Sequence, residues 1–364
     1  MVELVLATSC PKCGSTDIRR RSEYHRKVRA LYGVRTFVVT QHCCRQCNTA
    51  FTDGIGGVRK GGQIADEVTR KAIDIYLEGP DLEEVVKRLR EDLHAQISAS
   101  TIWRRVDALG KTARGIDAVR GTGLKLSKFV CVDEKYVPVH GDKKPLFLGL
   151  DPLTNVPVVQ KLLRNREVPA VLPLMRRLKS MKFEVCISDD WKSYPLAVKA
   201  VGMRHQKCHF HAKQAVWRIL KKKHIQKKRK AKFKRWLFAF LDSKSIAEAM
   251  VWLRIIGRIK AEKKLARFMQ SFLYNWRDYF TYLDYDGCPK TNNPMEQYNR
   301  RFEQKRQTMH GFRKERTTRS FIALFILHSL FRKFETGKNK GIAPVELAGG
   351  TQLIAKGMYG LLAL

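Results

Sequence analysis

Acidic residues are scarce in this sequence. Its 364 residues hold 34 Asp and Glu against 71 Lys and Arg, a formal net charge of +37 spread along nearly the whole chain. That imbalance opposes compaction unless counter-ions or a polyanion offset it, and it makes phosphate contacts the dominant, salt-sensitive part of affinity. Nucleic acid is the expected partner, with an anionic membrane surface as the alternative. Long apolar runs are missing as well. The best of them, Ser320–Phe331, falls short of the roughly eighteen residues that a spanning helix needs, which excludes such a helix. Met1–Thr8 has no basic stretch before it runs into a cysteine pair, so no signal peptide is read and an intracellular, cytoplasmic location is expected. The nine cysteines are an odd number, four of them in C-x-x-C pairs, which argues against a disulfide framework and for metal ligation in a reducing compartment. A hydrophobic content of 44% is ample for a core.

Cys10-Pro-Lys-Cys13 is followed by Cys44-Arg-Gln-Cys47, with Gly14 and Asn48 placed for tight turns. Four thiolates from two knuckles close a tetrahedral site with no open position, so a structural Zn²⁺ is expected there, with Cys43 as a substitute for Cys44. Between the knuckles Arg19, Arg20, Arg21, Arg26, Lys27, Arg29 and Arg35 interleave with Tyr24, Tyr32 and Phe37, a composition that suits DNA contact or a solvated hairpin. The glycine-rich stretch 53–62 marks a boundary. Three short helical patterns follow, capped by Asp66, by Asp81 with Glu84, and by Ser98 or Ser100. The third places Ile102, Trp103 and Val106 inward and Ser100, Thr101, Arg104 and Arg105 outward, as a helix-turn-helix recognition helix requires.

Three acids stand out beyond this point. Phe129–Val139 is a β-branched and aromatic run that reads as a buried strand, yet Asp133 lies in its middle. A buried carboxylate without compensation gives up its charge or costs several kcal/mol. The stretch 182–190 alternates, so that Phe183, Val185, Ile187 and Asp189 share a face and Asp189 falls at the strand's C-terminal edge. Glu296 opens a helical pattern after Thr-Asn-Asn-Pro-Met, where Asn293 as cap and Pro294 at the first turn also suit a capping glutamate. Three such carboxylates can share two hard cations about 4 Å apart, the requirement of in-line phosphoryl displacement. Asp190 competes with Asp189, and Glu134, on the opposite face of its strand, is expected at the surface or supporting the site. Strand 129–139, then 145–151 and 156–160, helix 170–180, strand, and helix 191–201 give the order of the ribonuclease H-like fold.

Val132-Asp133-Glu134, Ile187-Ser188-Asp189 with Lys192-Ser193-Tyr194-Pro195, and Asn292-Asn293-Pro294-Met295-Glu296 with Lys305 and Gly311-Phe312 resemble the three acidic motifs of DDE transposases. Cys208-His209-Phe210-His211, a C-x-x-H after the second acid, is similar to the signature of the mutator-like branch and of related prokaryotic insertion sequences. The resemblance implies a DNA transposase of mixed α/β class. A zinc ribbon (1–57) and a helix-turn-helix (58–120) would precede a ribonuclease H-like core (121–215 and 281–335), interrupted by a basic helical insertion (216–280) and followed by a tail (336–364). Asp133, Asp189 and Glu296 would bind two Mg²⁺, or Mn²⁺. Arg300, Arg301, Lys305 and Arg306 would hold phosphates beside the scissile bond, and Cys208 with His211 is a candidate for a second zinc. The partners implied are double-stranded element ends and target DNA, handled by at least a homodimer at the prokaryotic nucleoid and not by a membrane protein. A metal-dependent nuclease that cuts without joining and a non-catalytic DNA-binding regulator are the alternatives.

Overall fold

The computed structural model describes residues 2–113, 123–221, 227–258, 263–309 and 311–362. Lys222 and Lys223 of the expected basic helical insertion, and the expected boundary at 120/121, lie outside the described residues.

The N-terminal part is built on a long hairpin. Strands β2 (Ile18–Ala30) and β3 (Gly33–Cys44) pair antiparallel, with a register shift between Arg20 and Ser22, and β3 also pairs with β4 (Ala50–Thr52). β1 (Glu3–Val5) pairs with β5 (Gly54–Gly56) as a separate two-stranded sheet. Both knuckle turns use the left-handed backbone that their residues were placed for, with φ of 74° at Gly14 and 55° at Asn48.

Helices α1 (Asp66–Glu78), α2 (Leu82–Leu93) and α3 (Ala99–Thr112) then pack pairwise. Asp81 and Ser98 cap α2 and α3 by accepting from the Glu84 and Thr101 amides. Asp66 does not cap α1: it is already helical, and Ala65 occupies the cap position without a side-chain bond. α3 lies closely against α11 (Glu315–Phe331), where a Cβ on Gly110 would meet the Ser320 carbonyl oxygen at 2.6 Å. Only glycine permits that approach.

The central sheet has five strands in the order β10-β9-β6-β7-β8. β6 (Phe129–Val139), β7 (Asp142–Leu150) and β8 (Pro157–Leu162) form the expected antiparallel meander. After α4 (Val168–Ser180), β9 (Val185–Ser188) returns parallel to β6; after α5 (Ser193–Ala200), β10 (Arg204–Lys207) extends the sheet parallel to β9. β9 is shorter than its alternating pattern suggests, because the chain leaves the sheet before Asp189 and Asp190.

α10 (Asn293–Gln307) packs on β6 and β7, and α11 on β8, α3, α12 (Pro344–Leu347) and α13 (Thr351–Leu361). Tyr298 and Phe302 of α10 meet Phe325 of α11 edge-on, at ring separations of 6.1 and 5.3 Å. A second core is held by α6 (His209–Leu220), α7 (Lys227–Asp242), α8 (Ile246–Gly257) and α9 (Lys263–Leu273). Its hub is Phe240, 5.2 Å from Phe280 and 6.1 Å from Tyr279. Lys234 sits 3.9 Å over the Trp217 ring and Lys232 4.8 Å over Trp236. These two lysines of the basic insertion thereby lie on indole faces.

Candidate active site and metal centre

The parallel register between β6 and β9 organises the acids. Cys131 pairs with Ile187; two residues further along, Asp133 is still in β6 while Asp189 lies just beyond the end of β9, where its charge acts on the Asp133 carboxyl. α10 supplies the third acid. Asn292, Glu296 and Asn299 recur at helical spacing on the face turned toward β6, where the Asn292 Nδ2 donates to the Val132 carbonyl at 3.1 Å and the Asn299 Nδ2 to Asp133 Oδ2 at 2.6 Å. Glu296 between them stands 3.1 Å from His211 Nε2. Asp189 Oδ1 accepts from the Trp191 amide at 3.1 Å, which fixes the turn that leaves β9.

The electrostatics express this convergence. Burial, then the charges of Glu296, Glu134 and Asp189, push the Asp133 carboxyl up to about 7. The hydrogen bond from His211 holds Glu296 below the usual carboxylate range, against burial and with help from Lys135 and Arg300. His211, beside Cys208 and Glu296, is pushed up to about 10. Cations answer several of these acids, Arg166 at Glu134, Lys207 at Asp190 and His211 at Glu296, and the donor atoms of Asp133, Asp189 and Glu296 do not all lie within 4.8 Å of one another. A cavity of about 240 Å³ adjoins Asp189 and His211 and is lined also by Trp191, Lys207, Phe272 and Tyr279.

The neighbours of the acids divide the work. Asp190 pairs with buried Lys207 at 3.1 Å, and that lysine also donates to the Tyr274 carbonyl at 2.8 Å. Ser188 Oγ donates to the Asp189 carbonyl and meets His205 Nε2, both at 2.8 Å. Glu134 is not a surface group: Arg166 and the Tyr194 hydroxyl hold its two oxygens, and its side chain is 5% exposed. Arg166 in turn covers the Trp191 ring at 3.6 Å. Asn299 and Lys207 were missed by sequence reasoning, since no motif marks a polar residue whose partner is set by tertiary packing.

Glu296 is not engaged in a capping box. The cap position of α10 falls on Asn292, one residue earlier than expected, and the Glu296 side chain is turned to His211 instead. Three cationic candidates on this helix have partners within the protein. Lys305 is 1% exposed and donates to the Pro80 carbonyl at 2.6 Å. Arg301 lies 5.6 Å over the Tyr298 ring, where burial pulls its pKa down. Arg306 is tied to Glu303 at 2.8 Å. Helical periodicity sends Lys305 and Arg301 toward the packed side of α10, which leaves Arg300 exposed on the solvent side. On α3, Ser100 and Arg104 are exposed, while Thr101 and Arg105 are half-buried.

Among the described residues, the one group of three or more His, Cys, Asp or Glu ligands whose donor atoms all lie within 4.8 Å of each other is Cys10, Cys13, Cys44 and Cys47. Cys10 and Cys47 Sγ are 3.5 Å apart, as are Cys13 and Cys44, close to the roughly 3.8 Å edge of a tetrahedron with 2.3 Å zinc–sulfur bonds. The cluster can hold a metal ion. Cys43 stays outside it, with its thiol toward the Cys44 carbonyl. Cys208 and His211 do not form such a group. The Cys208 sulfur accepts from the Asn292 amide at 3.2 Å, so the C-x-x-H pair braces the start of α10. Among the described residues no helix is long and apolar enough to cross a membrane.

Residues 172–332 match the family described as "Transposase, Mutator family". An uncharacterized 48.3 kDa protein of insertion element ISM1 from Methanobrevibacter smithii is 21% identical over 312 residues, which covers 80% of this chain and 75% of that protein. Of solved structures, the Drosophila P element transposase strand transfer complex aligns at 12% identity and a TM-score of 0.38, over 83% of this chain and 95% of that chain. A simian T-cell lymphotropic virus intasome in complex with PP2A regulatory subunit B56 gamma aligns at 10% identity and a TM-score of 0.21, over 34% and 52%. The family match takes in Asp189, the Cys208 and His211 pair and Glu296, and leaves Asp133 outside it.

Proposed function

We propose that this protein is a DDE-type DNA transposase that cuts the ends of an insertion sequence and joins them to target DNA. The observation that carries the reading is the arrival of Glu296, on a helix pinned to β6 by Asn292 and Asn299, beside the strand acid Asp133 and its neighbour Asp189. The strand order β10-β9-β6-β7-β8, with the first three parallel and the rest antiparallel, supports a ribonuclease H-like core. The helices α6–α9 would then be the insertion before the third acid.

Asp133, Asp189 and Glu296 would hold two Mg²⁺, with Mn²⁺ able to substitute, whose chemistry is to activate the attacking oxygen and stabilise the leaving one. The chain's own residues do the rest. Asn299 orients the Asp133 carboxylate, the Trp191 amide orients Asp189, and His211 aims Glu296. Arg300, exposed on α10, would meet a phosphate of the bound strand. Neither cutting nor joining needs a covalent enzyme intermediate. The four cysteines would hold a structural Zn²⁺ as a zinc ribbon. α2 and α3 would act as a helix-turn-helix that presents Ser100 and Arg104, flanked by Thr101 and Arg105, to a major groove. Two element ends imply at least a homodimer on DNA, at the prokaryotic nucleoid.

The test incubates the protein with labelled element-end DNA and a supercoiled target, in Mg²⁺ or EDTA. Metal-dependent joined products should form, and Asp133→Asn and Glu296→Gln should each abolish them while DNA binding persists. Cleavage without joined products would favour a nuclease. Full activity in Glu296→Gln would remove the third ligand from the proposal.

A further inference from the structure

The β2–β3 ribbon has one face in use and one face open. On the first, Val28 and Val39 are fully buried, Arg26 donates to the Gly62 carbonyl at 2.6 Å and Arg35 to the Val2 carbonyl at 3.4 Å. These two arginines are spent on holding the chain together. On the second, the register sets His25 opposite Val38, Lys27 opposite Thr36 and Arg29 opposite Val34, and all six residues are exposed. Cross-strand partners share a face, so they form one strip of three basic and three β-branched residues. Val34 is 54% and Val38 46% exposed. Among the described residues no carboxylate is paired with Lys27 or Arg29, and Glu23, the acid of this strand, is taken by Arg20.

The ribbon is held at both ends. The cysteine cluster lies at its base. Near its tip the Tyr32 amide donates to the Leu93 carbonyl at 2.7 Å, and the Arg29 amide and carbonyl bond Gln63 and Ala65 at 2.8 and 2.9 Å. A concavity of about 1300 Å³ runs beside β2 and is lined by His25, Lys27, Arg29 and Lys60. Side chains on one face of a strand repeat about every 6.8 Å. A B-form major groove, about 12 Å wide, admits a two-stranded ribbon, and apolar side chains there meet thymine methyl groups.

We propose that this open face seats in the major groove of double-stranded DNA, with Lys27 and Arg29 on phosphates and Val34, Thr36 and Val38 toward base edges. The DNA contact is argued from the ribbon itself; its assignment to the element's ends rests on the transposase reading.

The experiment measures binding of the full-length protein to a labelled duplex of about 30 bp carrying an element end, across a salt series. Removing two phosphate contacts in Lys27→Ala/Arg29→Ala should lower the log–log salt slope by about 1.8, with zinc content and circular dichroism unchanged. In the wild-type protein, methylation of guanine N7, which faces the major groove, should interfere with binding, whereas a minor-groove ligand should not compete. An unchanged slope in the folded variant, or indifference to N7 methylation, would overturn the proposal. The same preparations tested for metal-dependent cleavage separate the two readings. Cleavage with an unchanged slope removes the ribbon and keeps the transposase, and a lowered slope without cleavage does the reverse.

Discussion

His211 is the contact that fixes the direction of the Glu296 carboxylate, 3.1 Å away across two elements that share no strand. A neighbour that aims a metal-binding carboxylate is commonly worth about 10- to 100-fold in activity or metal affinity. His211→Ala should therefore cut metal-dependent cleavage by a factor in that range without weakening DNA binding, and His211→Gln, which keeps a donor, should recover part of it. A titration of cleavage against Mg²⁺ concentration checks this; equal curves for wild type and His211→Ala would return the histidine to a packing role. Sequence made Asp133 legible because a charge inside a β-branched run violates burial, and Asp189 because alternation ended on it. Glu296 read alone suits a cap, and only the company of the two aspartates favours a ligand; its side chain is turned to His211 and not to its own helix end. Asn299 and Lys207 carried no signal at all, because their partners, Asp133 and Asp190, are set by tertiary packing alone.

α10 connects the acid site to the N-terminal helices through its other end. Lys305 donates to the Pro80 carbonyl at 2.6 Å, its ammonium lies 3.3 Å over the Tyr76 ring, and Thr308 Oγ1 reaches the Gly79 carbonyl at 2.6 Å. Its basic character suggested a phosphate contact, since a sequence does not say which lysine on a helix meets another module. Burial pulls the Lys305 pKa down to about 7, with Asp81 opposing. The unfolded chain keeps this proton up to about pH 10.4, so folding releases it between the two values. The cost is therefore full below pH 7 and fades as pH rises through that window. Lys305→Met has no such proton. The melting temperature of the wild type relative to this variant should thus climb between about pH 7 and pH 9.5; parallel curves in a thermal-shift series would show that the lysine is not desolvated. The long elements, β6, the meander and α4, were readable from apolar periodicity. The shortened β9 was not, because the last residues of its pattern serve the site rather than the sheet.

For the whole molecule, charge sets two responses of opposite sign. With 71 basic and 34 acidic residues, even one-to-one pairing of every carboxylate would leave 37 cations without an acid. Several lysines relieve this locally by lying on aromatic faces, as Lys232, Lys234 and Lys290 do, but long-range repulsion remains, and it is screened as the Debye length falls from roughly 14 Å at 50 mM salt to below 8 Å at 300 mM. The free protein should therefore gain stability over that interval, by about a few degrees in melting temperature. Binding to duplex DNA should move the other way. Each phosphate neutralised releases counter-ions, so log affinity should fall linearly with log salt, by about 0.9 per contact. A fold that tolerates this much unpaired positive charge gains from either screening or DNA, and the two compete. Saturating DNA should consequently raise the melting temperature most at low salt and least at high salt, and the rate at which the bound and free curves converge with salt would report how many phosphates the surface neutralises. A salt-independent affinity would mean that the excess charge faces something other than DNA.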